Sequence, residues 1–203
     1  MGTNNHFAIR KVHSLLGIIP IGFFFLEHTI TNSMAILGED MWMAFVSFLH
    51  NLPFKIFLEV GLIFLPIAFH ALYGLWIVYG AKNNTLRYSY FKNWMFYLQR
   101  ITAIITLVFI IWHVWTLKTA NLYYSQSYFQ AMGEMLSNPL VFAAYLIGFL
   151  AAAFHFTNGI WSFLVAWGVT VGPKAQKVSF ALCMGFFALL SAAGIGSLIS
   201  FLQ

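Results

Sequence analysis

Four of the chain's seven histidines, His28, His70, His113 and His155, lie deep in apolar stretches, at intervals of 42, 43 and 42 residues. An ionisable side chain in hydrocarbon is unfavourable and by default marks a function. Taken singly, each histidine has three readings: a metal ligand, a step in a proton relay, or a hydrogen-bond partner between helices. Taken together they say more, because the interval puts one imidazole on each of four successive membrane crossings. Two facing imidazoles with no carboxylate or thiolate beside them suit bis-histidine haem iron. Zinc favours four N or S ligands at one level, and copper or di-iron centres add Met, Cys or Glu-x-x-His ligands.

The elements that carry these rings follow from composition. The chain has 203 residues, 61% hydrophobic and only 7% charged, with a mean hydropathy of +0.82. A soluble domain carries about 25% charge, so a soluble protein, a disordered chain and a nucleic-acid reader are excluded. The reading is an all-α integral membrane protein forming a single domain, 1–203. A crossing takes about 20 apolar residues, and five helices are predicted at about 12–35, 54–81, 94–117, 140–167 and 178–202. The first four run up-down-up-down. Stretches such as 18–26 and 146–154 lack the alternation that a membrane barrel needs. The single cysteine, Cys183, excludes a disulfide framework and an iron–sulphur cluster.

Basic residues orient the helices. Arg10, Lys11, Lys82, Arg87, Lys92, Lys174 and Lys177 fall on one side, and only Lys55 and Lys118 on the other. The excess predicts a cytoplasmic N-terminus and an outside C-terminus, with His6 and Arg10 in a solvated tail. Trp42, Trp94 and Trp167 read as interfacial rings. At 1.5 Å per residue, His28 lies about 6 Å inside the outer boundary at Asn32, and His113 about 7 Å inside Lys118. His70 and His155 both lie roughly 18–20 Å from the inner boundary, and the two levels are about 15 Å apart. In an up-down-up-down bundle, helices one and three are diagonal, as are two and four. The predicted pairs are therefore His28 with His113 at the outer level and His70 with His155 at the inner level. Gly74 and Gly159, each four residues after an inner histidine, leave a side-chain-free patch on the same face where a porphyrin plane could lie. The segments Phe69-His70-x-x-x-Gly74-Leu75-Trp76 and Phe154-His155-x-x-x-Gly159-Ile160-Trp161 match at an offset of 85, the offset between His28 and His113. A duplicated helix hairpin would produce it.

Several stretches carry a wider resemblance: His13-Ser14-Leu15-Leu16-Gly17, Ala81-Lys82-Asn83-Asn84, Leu98-Gln99-Arg100, Trp112-His113-Val114-Trp115, and Phe154-His155-Phe156 with Asn158-Gly159. Along nearly its whole length the chain resembles membrane cytochrome b subunits of the di-haem succinate:quinone oxidoreductase and fumarate reductase family, in the Gram-positive succinate dehydrogenase cytochrome b558 type. The resemblance implies two b haems with axial ligands at His28, His70, His113 and His155. It also implies flavoprotein and iron–sulphur subunits on the cytoplasmic side of a bacterial cytoplasmic membrane, with menaquinone as electron acceptor. The chain itself lacks a dinucleotide motif and a cysteine cluster, so it would be an anchor and electron conduit rather than the succinate-oxidising subunit. No catalytic residue is assigned.

Weaker candidates complete the reading. His13 and Ser14, favoured by the resemblance, and Arg100 are candidates for holding the propionates of the inner haem, with snorkelling to the inner surface the alternative for Arg100. Glu27, His50 and Glu59 are candidates for proton exchange with quinone, with interfacial solvation the alternative for each. Some di-haem fumarate reductases carry a glutamate two residues before the fourth ligand. Ala153 stands there, which favours succinate oxidation. Competing readings are a cytochrome b of a fumarate reductase, hydrogenase or formate dehydrogenase, and a proton-coupled transporter with a histidine relay. The transporter reading has only Pro20 and Pro66 as candidate helix breaks.

Overall fold

A computed structural model describes residues 3–119 and 127–203. Five stretches within them are long and apolar enough to cross a membrane: His6–Leu37, Lys55–Gly80, Phe91–Lys118, Pro139–Ala166 and Pro173–Ser200. They coincide with the five predicted helices, with ends that differ by several residues. The first crossing starts well before residue 12. Helix α1 (Thr3–Ile18) includes His6 and Arg10, and the His6 ring stacks on Trp76 at 5.4 Å, so the expected solvated tail is helical.

Proline decides where several helices start. Pro20 has no N–H to give, and the first crossing breaks there into α1 and α2 (Pro20–Ser33). A 3-10 turn, Met34–Leu37, ends this crossing. Gly38, at φ +108°, turns the chain into α3 (Glu39–His50), whose first turn carries Glu39 and Asp40. Both acids suit the positive end of the helix dipole.

The second crossing opens with a single turn, α4 (Lys55–Phe57). A π-helical stretch, Leu58–Phe64, follows, then α5 (Leu65–Gly80). Pro66 withholds a donor from the turn before it, and the π stretch ends beside it. The third crossing is α6 (Phe91–Thr119). Ahead of the fourth lies α7 (Tyr128–Leu136), capped by Ser127 Oγ, which accepts from the N–H of Gln130 at 3.1 Å. Asn138 caps α8 (Pro139–Ala166), its Oδ1 accepting from the N–H of Leu140 at 2.9 Å, with Pro139 in the first turn. Gly172, at φ +85°, precedes the fifth crossing, α9 (Pro173–Ser200).

The first four crossings form a ring. Helix α1 packs on α5 and α8, α6 packs on α8, and α5 touches α6 lightly. Helix α9 lies outside the ring against α8 and α2. Hydroxyl and amide side chains inside the first crossing bond back to the preceding turn. Thr29 Oγ1 donates to the Phe25 carbonyl at 2.7 Å, Asn32 Nδ2 to His28 at 2.8 Å, and Ser33 Oγ to Thr29 at 2.7 Å. Water is absent from the hydrocarbon layer, so such local bonds keep these groups satisfied.

Helices α3 and α7 were not legible as elements in the sequence, which reads them only as connections. They cover the end of the bundle opposite the N-terminus, called outer here. Trp42 of α3 is buried at 7% exposure, edge-on to Phe201 at 5.3 Å and to Phe129 at 5.8 Å. It is a core residue of this cover, which corrects its reading as an interfacial ring. Trp94 and Trp167 remain partly exposed, and each indole donates to a serine, Ser89 and Ser14 respectively.

Candidate functional site

The fold brings the four histidines together in two pairs. His28 of α2 and His113 of α6 have ring centroids 6.0 Å apart with planes at 78°. His70 of α5 and His155 of α8 have centroids 6.2 Å apart with planes at 84°. An imidazole nitrogen binds a first-row metal at about 2 Å and lies about 1 Å from its own ring centre, so two rings in line across one metal have centroids roughly 6 Å apart. Both pairs have that separation. Each donor set consists of two neutral nitrogens, which fits an iron whose other four positions a porphyrin fills.

Hydrogen bonds select the nitrogen that each ring keeps free. His70 Nδ1 lies 3.0 Å from the main-chain carbonyl of His13, and His155 Nδ1 lies 3.1 Å from that of Gln99. A carbonyl only accepts, so both rings carry their hydrogen on Nδ1 and present an unprotonated Nε2. His113 Nδ1 is 3.2 Å from the Tyr145 hydroxyl, which in turn donates to Met135 Sδ at 3.9 Å. For the His28 ring no hydrogen-bond partner is found among the described residues; Phe24 stacks on it at 5.4 Å.

Close helix approach sets the inner pair. His13 Nε2 donates to the carbonyl of His70 at 3.1 Å, and the two rings stack at 4.0 Å with planes 6° apart. Gln99 Nε2 donates to the carbonyl of His155 at 2.9 Å. Gly17 makes room on the first crossing: a Cβ added there would come within 2.6 Å of His70 Cε1. Gln99 is itself held by Asn158, whose Nδ2 donates to Gln99 Oε1 at 2.6 Å. Asn158 and Thr157 are both fully buried.

The family model for the succinate dehydrogenase/fumarate reductase transmembrane subunit matches residues 81–194. The succinate dehydrogenase cytochrome b558 subunit of Bacillus subtilis (strain 168) is 42% identical over 201 residues, covering 99% of this chain and 100% of that protein. The chain belongs to this transmembrane subunit family.

The remaining candidates of this family member fall at both ends of the bundle. Ser14 Oγ donates to the Lys11 carbonyl at 2.9 Å and accepts from Trp167 Nε1 at 3.1 Å. Nearby, Lys11 Nζ caps α8 by donating to the Ala166 carbonyl at 2.7 Å. Arg100 Nη1 donates to Asn83 Oδ1 at 2.6 Å, joining α6 to the loop after the second crossing. Gly74 and Gly159 face the His13 and Gln99 side chains: added Cβ atoms would meet His13 Nε2 at 3.4 Å and Gln99 Nε2 at 3.3 Å.

At the outer end, His50 and Glu59 flank one lysine. Lys55 Nζ lies 2.9 Å from His50 Nδ1 and 3.7 Å from the Glu59 carboxylate. Glu27 is not part of that cluster, and its Oε1 accepts from Thr31 Oγ1 at 2.7 Å. Sequence reasoning missed Gly17, Gln99, Tyr145 and Asn158. Gly17, Gln99 and Asn158 stand in stretches that carry the resemblance, and Gln99 follows His13 by 86 residues, one more than the offset between the two matching segments.

Proposed function

We propose that this chain is the membrane anchor and di-haem b electron-transfer subunit of a succinate:menaquinone oxidoreductase. In this reading it receives electrons from an iron–sulphur subunit docked, with its flavoprotein partner, on the cytoplasmic face. The observation that carries the reading is the two pairs of facing imidazoles, at 6.0 and 6.2 Å, one ring from each of four crossings, in a chain of this family. His28 and His113 would hold the outer haem, and His70 and His155 the inner one. When bound, the two b haems supply one-electron carriers at two depths of the low-dielectric layer.

The chain's own residues supply the rest. Nδ1 bonds to the carbonyls of His13 and Gln99 and to the Tyr145 hydroxyl hold the His70, His155 and His113 rings in one tautomer. Ser14 and Arg100, at the inner end, are the polar groups we assign to the propionates of the inner haem. His50 and Glu59, gathered by Lys55 at the outer end, are where we place proton exchange with menaquinone; Glu27, bonded to Thr31, is the weaker choice. The excess of basic residues beside the inner end supports a cytoplasmic N-terminus and an outside C-terminus. Quinone reduction near the outer side would then draw on the membrane potential, worth about 2.3 kcal/mol per charge per 100 mV. Ala153, fully buried two residues before His155, offers no carboxylate for a compensating proton path, which favours succinate oxidation over fumarate reduction.

A reduced-minus-oxidised spectrum of the purified subunit tests the proposal, together with its haem content. A b-type band and two haems per chain are expected. Absence of the band, or full haem content after alanine replacement of any one of the four histidines, would overturn it. Succinate:menaquinone activity in intact membranes should fall on uncoupling; insensitivity to uncouplers would count against the outer-side site.

A further inference from the structure

The inner pair is held by the same device twice, once in each half of the chain. On one side, His13 donates through Nε2 to the carbonyl of His70 at 3.1 Å, while His70 Nδ1 donates to the carbonyl of His13 at 3.0 Å. On the other, Gln99 donates through Nε2 to the carbonyl of His155 at 2.9 Å, while His155 Nδ1 donates to the carbonyl of Gln99 at 3.1 Å. The correspondence continues along the helices. The residue three after each ligand contacts the clasping side chain: Tyr73 tilts against the His13 ring at 5.4 Å, and Asn158 bonds Gln99 at 2.6 Å. The residue four after each ligand is glycine, and its missing Cβ leaves room for His13 Nε2 or Gln99 Nε2.

The offset between the clasping residues is 86, one more than between the paired ligands. Between clasp and outer ligand, the first half has 15 steps from His13 to His28, and the second has 14 from Gln99 to His113. The break between α1 and α2, at Ile19 and Pro20, lies in the longer interval.

We propose that His13 and Gln99 are equivalent positioning residues, each closing a two-way hydrogen-bond clasp on one inner haem ligand, and that His13 acts only as a neutral donor for which glutamine is a substitute. The proposal rests on the reading of His70 and His155 as haem ligands. A neutral imidazole has one N–H, and that of His13 is engaged by the His70 carbonyl, so His13 has none to offer a propionate. Glutamine carries the same donor at a similar reach, as Gln99 demonstrates on the opposite side of the site.

The test uses the full chain in its membrane complex and reads the inner haem by optical redox titration. His13→Leu and Gln99→Leu should each weaken retention of the inner haem by about 10–100-fold, the range for loss of an outer-sphere partner, and shift the inner midpoint potential while the outer one stays put. His13→Gln should recover the inner signal that His13→Leu loses, and Gln99→His should do the same for Gln99→Leu. If His13→Gln behaves like His13→Leu, or if both leucine variants leave the inner potential and occupancy unmoved, the equivalence is wrong. Should the leucine variants fail to reach the membrane, the paired exchange of His13→Gln with Gln99→His decides: two haems support the clasp, and loss of the inner one overturns it. A failure of the haem reading itself would look different, since the unaltered protein would then lack the b-type band.

Discussion

The inner and outer histidine pairs have nearly the same ring separation but are held by different means. Both inner rings donate to main-chain carbonyls on a neighbouring helix, and each clasp is closed by a side chain. At the outer level, His113 depends on a side-chain phenol, Tyr145, and the His28 ring lies against Phe24. Main-chain acceptors persist through any substitution that preserves the helix path, whereas a phenol is lost with one atom. The inner site is therefore sensitive to helix approach, and the outer site to the identity of single side chains.

The largest contrast is expected from the ligands. His70→Ala or His155→Ala should remove the inner haem and spare the outer one, with His28→Ala or His113→Ala doing the reverse, as read by haem content and two-step redox titration. Next, Gly17→Ala should act on the inner site alone, because its new methyl group would press on His70 Cε1 from 2.6 Å. The expected result is a lowered inner haem content with an undiminished outer one; equal loss of both would show that the two levels are not independently built.

Tyr145→Phe should do the opposite. It leaves His113 Nδ1 without its partner in a buried setting, a loss of about 1–3 kcal/mol, and should shift the outer midpoint potential while the inner one holds. The smallest effects are expected at the outer rim. Glu59→Gln or His50→Ala should leave both haem spectra intact and slow quinone reduction only, measured against a succinate:artificial-acceptor assay as control. A change in either spectrum would tie the Lys55 cluster to haem binding instead.

How much of this could be read in the chain varies residue by residue. The four imidazoles stand out because charge-capable groups are rare in a stretch of this hydropathy, and their intervals pair them by depth without reference to contacts. Gln99 and Asn158 do not stand out in the same way: an amide in a crossing is as easily a bond between helices as part of a site, and only the bonds from Gln99 to His155 and from Asn158 to Gln99 separate the two. Tyr145 lies 32 residues from the ring it holds, with no periodic signal connecting them. Helices α3 and α7 escaped notice because each is short, and their burial comes from one another and from the outer end of the bundle rather than from a long apolar run.

Composition determined that the chain is a membrane protein, and the order of its apolar runs that it has five crossings, since runs of about 20 apolar residues have no other stable home. Spacing alone determined which histidines share a depth, since helix rise is fixed at about 1.5 Å per residue. Which nitrogen each ring presents, and which neighbour holds it, required the packed bundle. Those properties depend on ångström-scale approaches between helices, created where Gly17, Gly74 and Gly159 withhold a side chain and Pro20 interrupts a turn. A linear pattern records the small residues but not what moves into the space they leave.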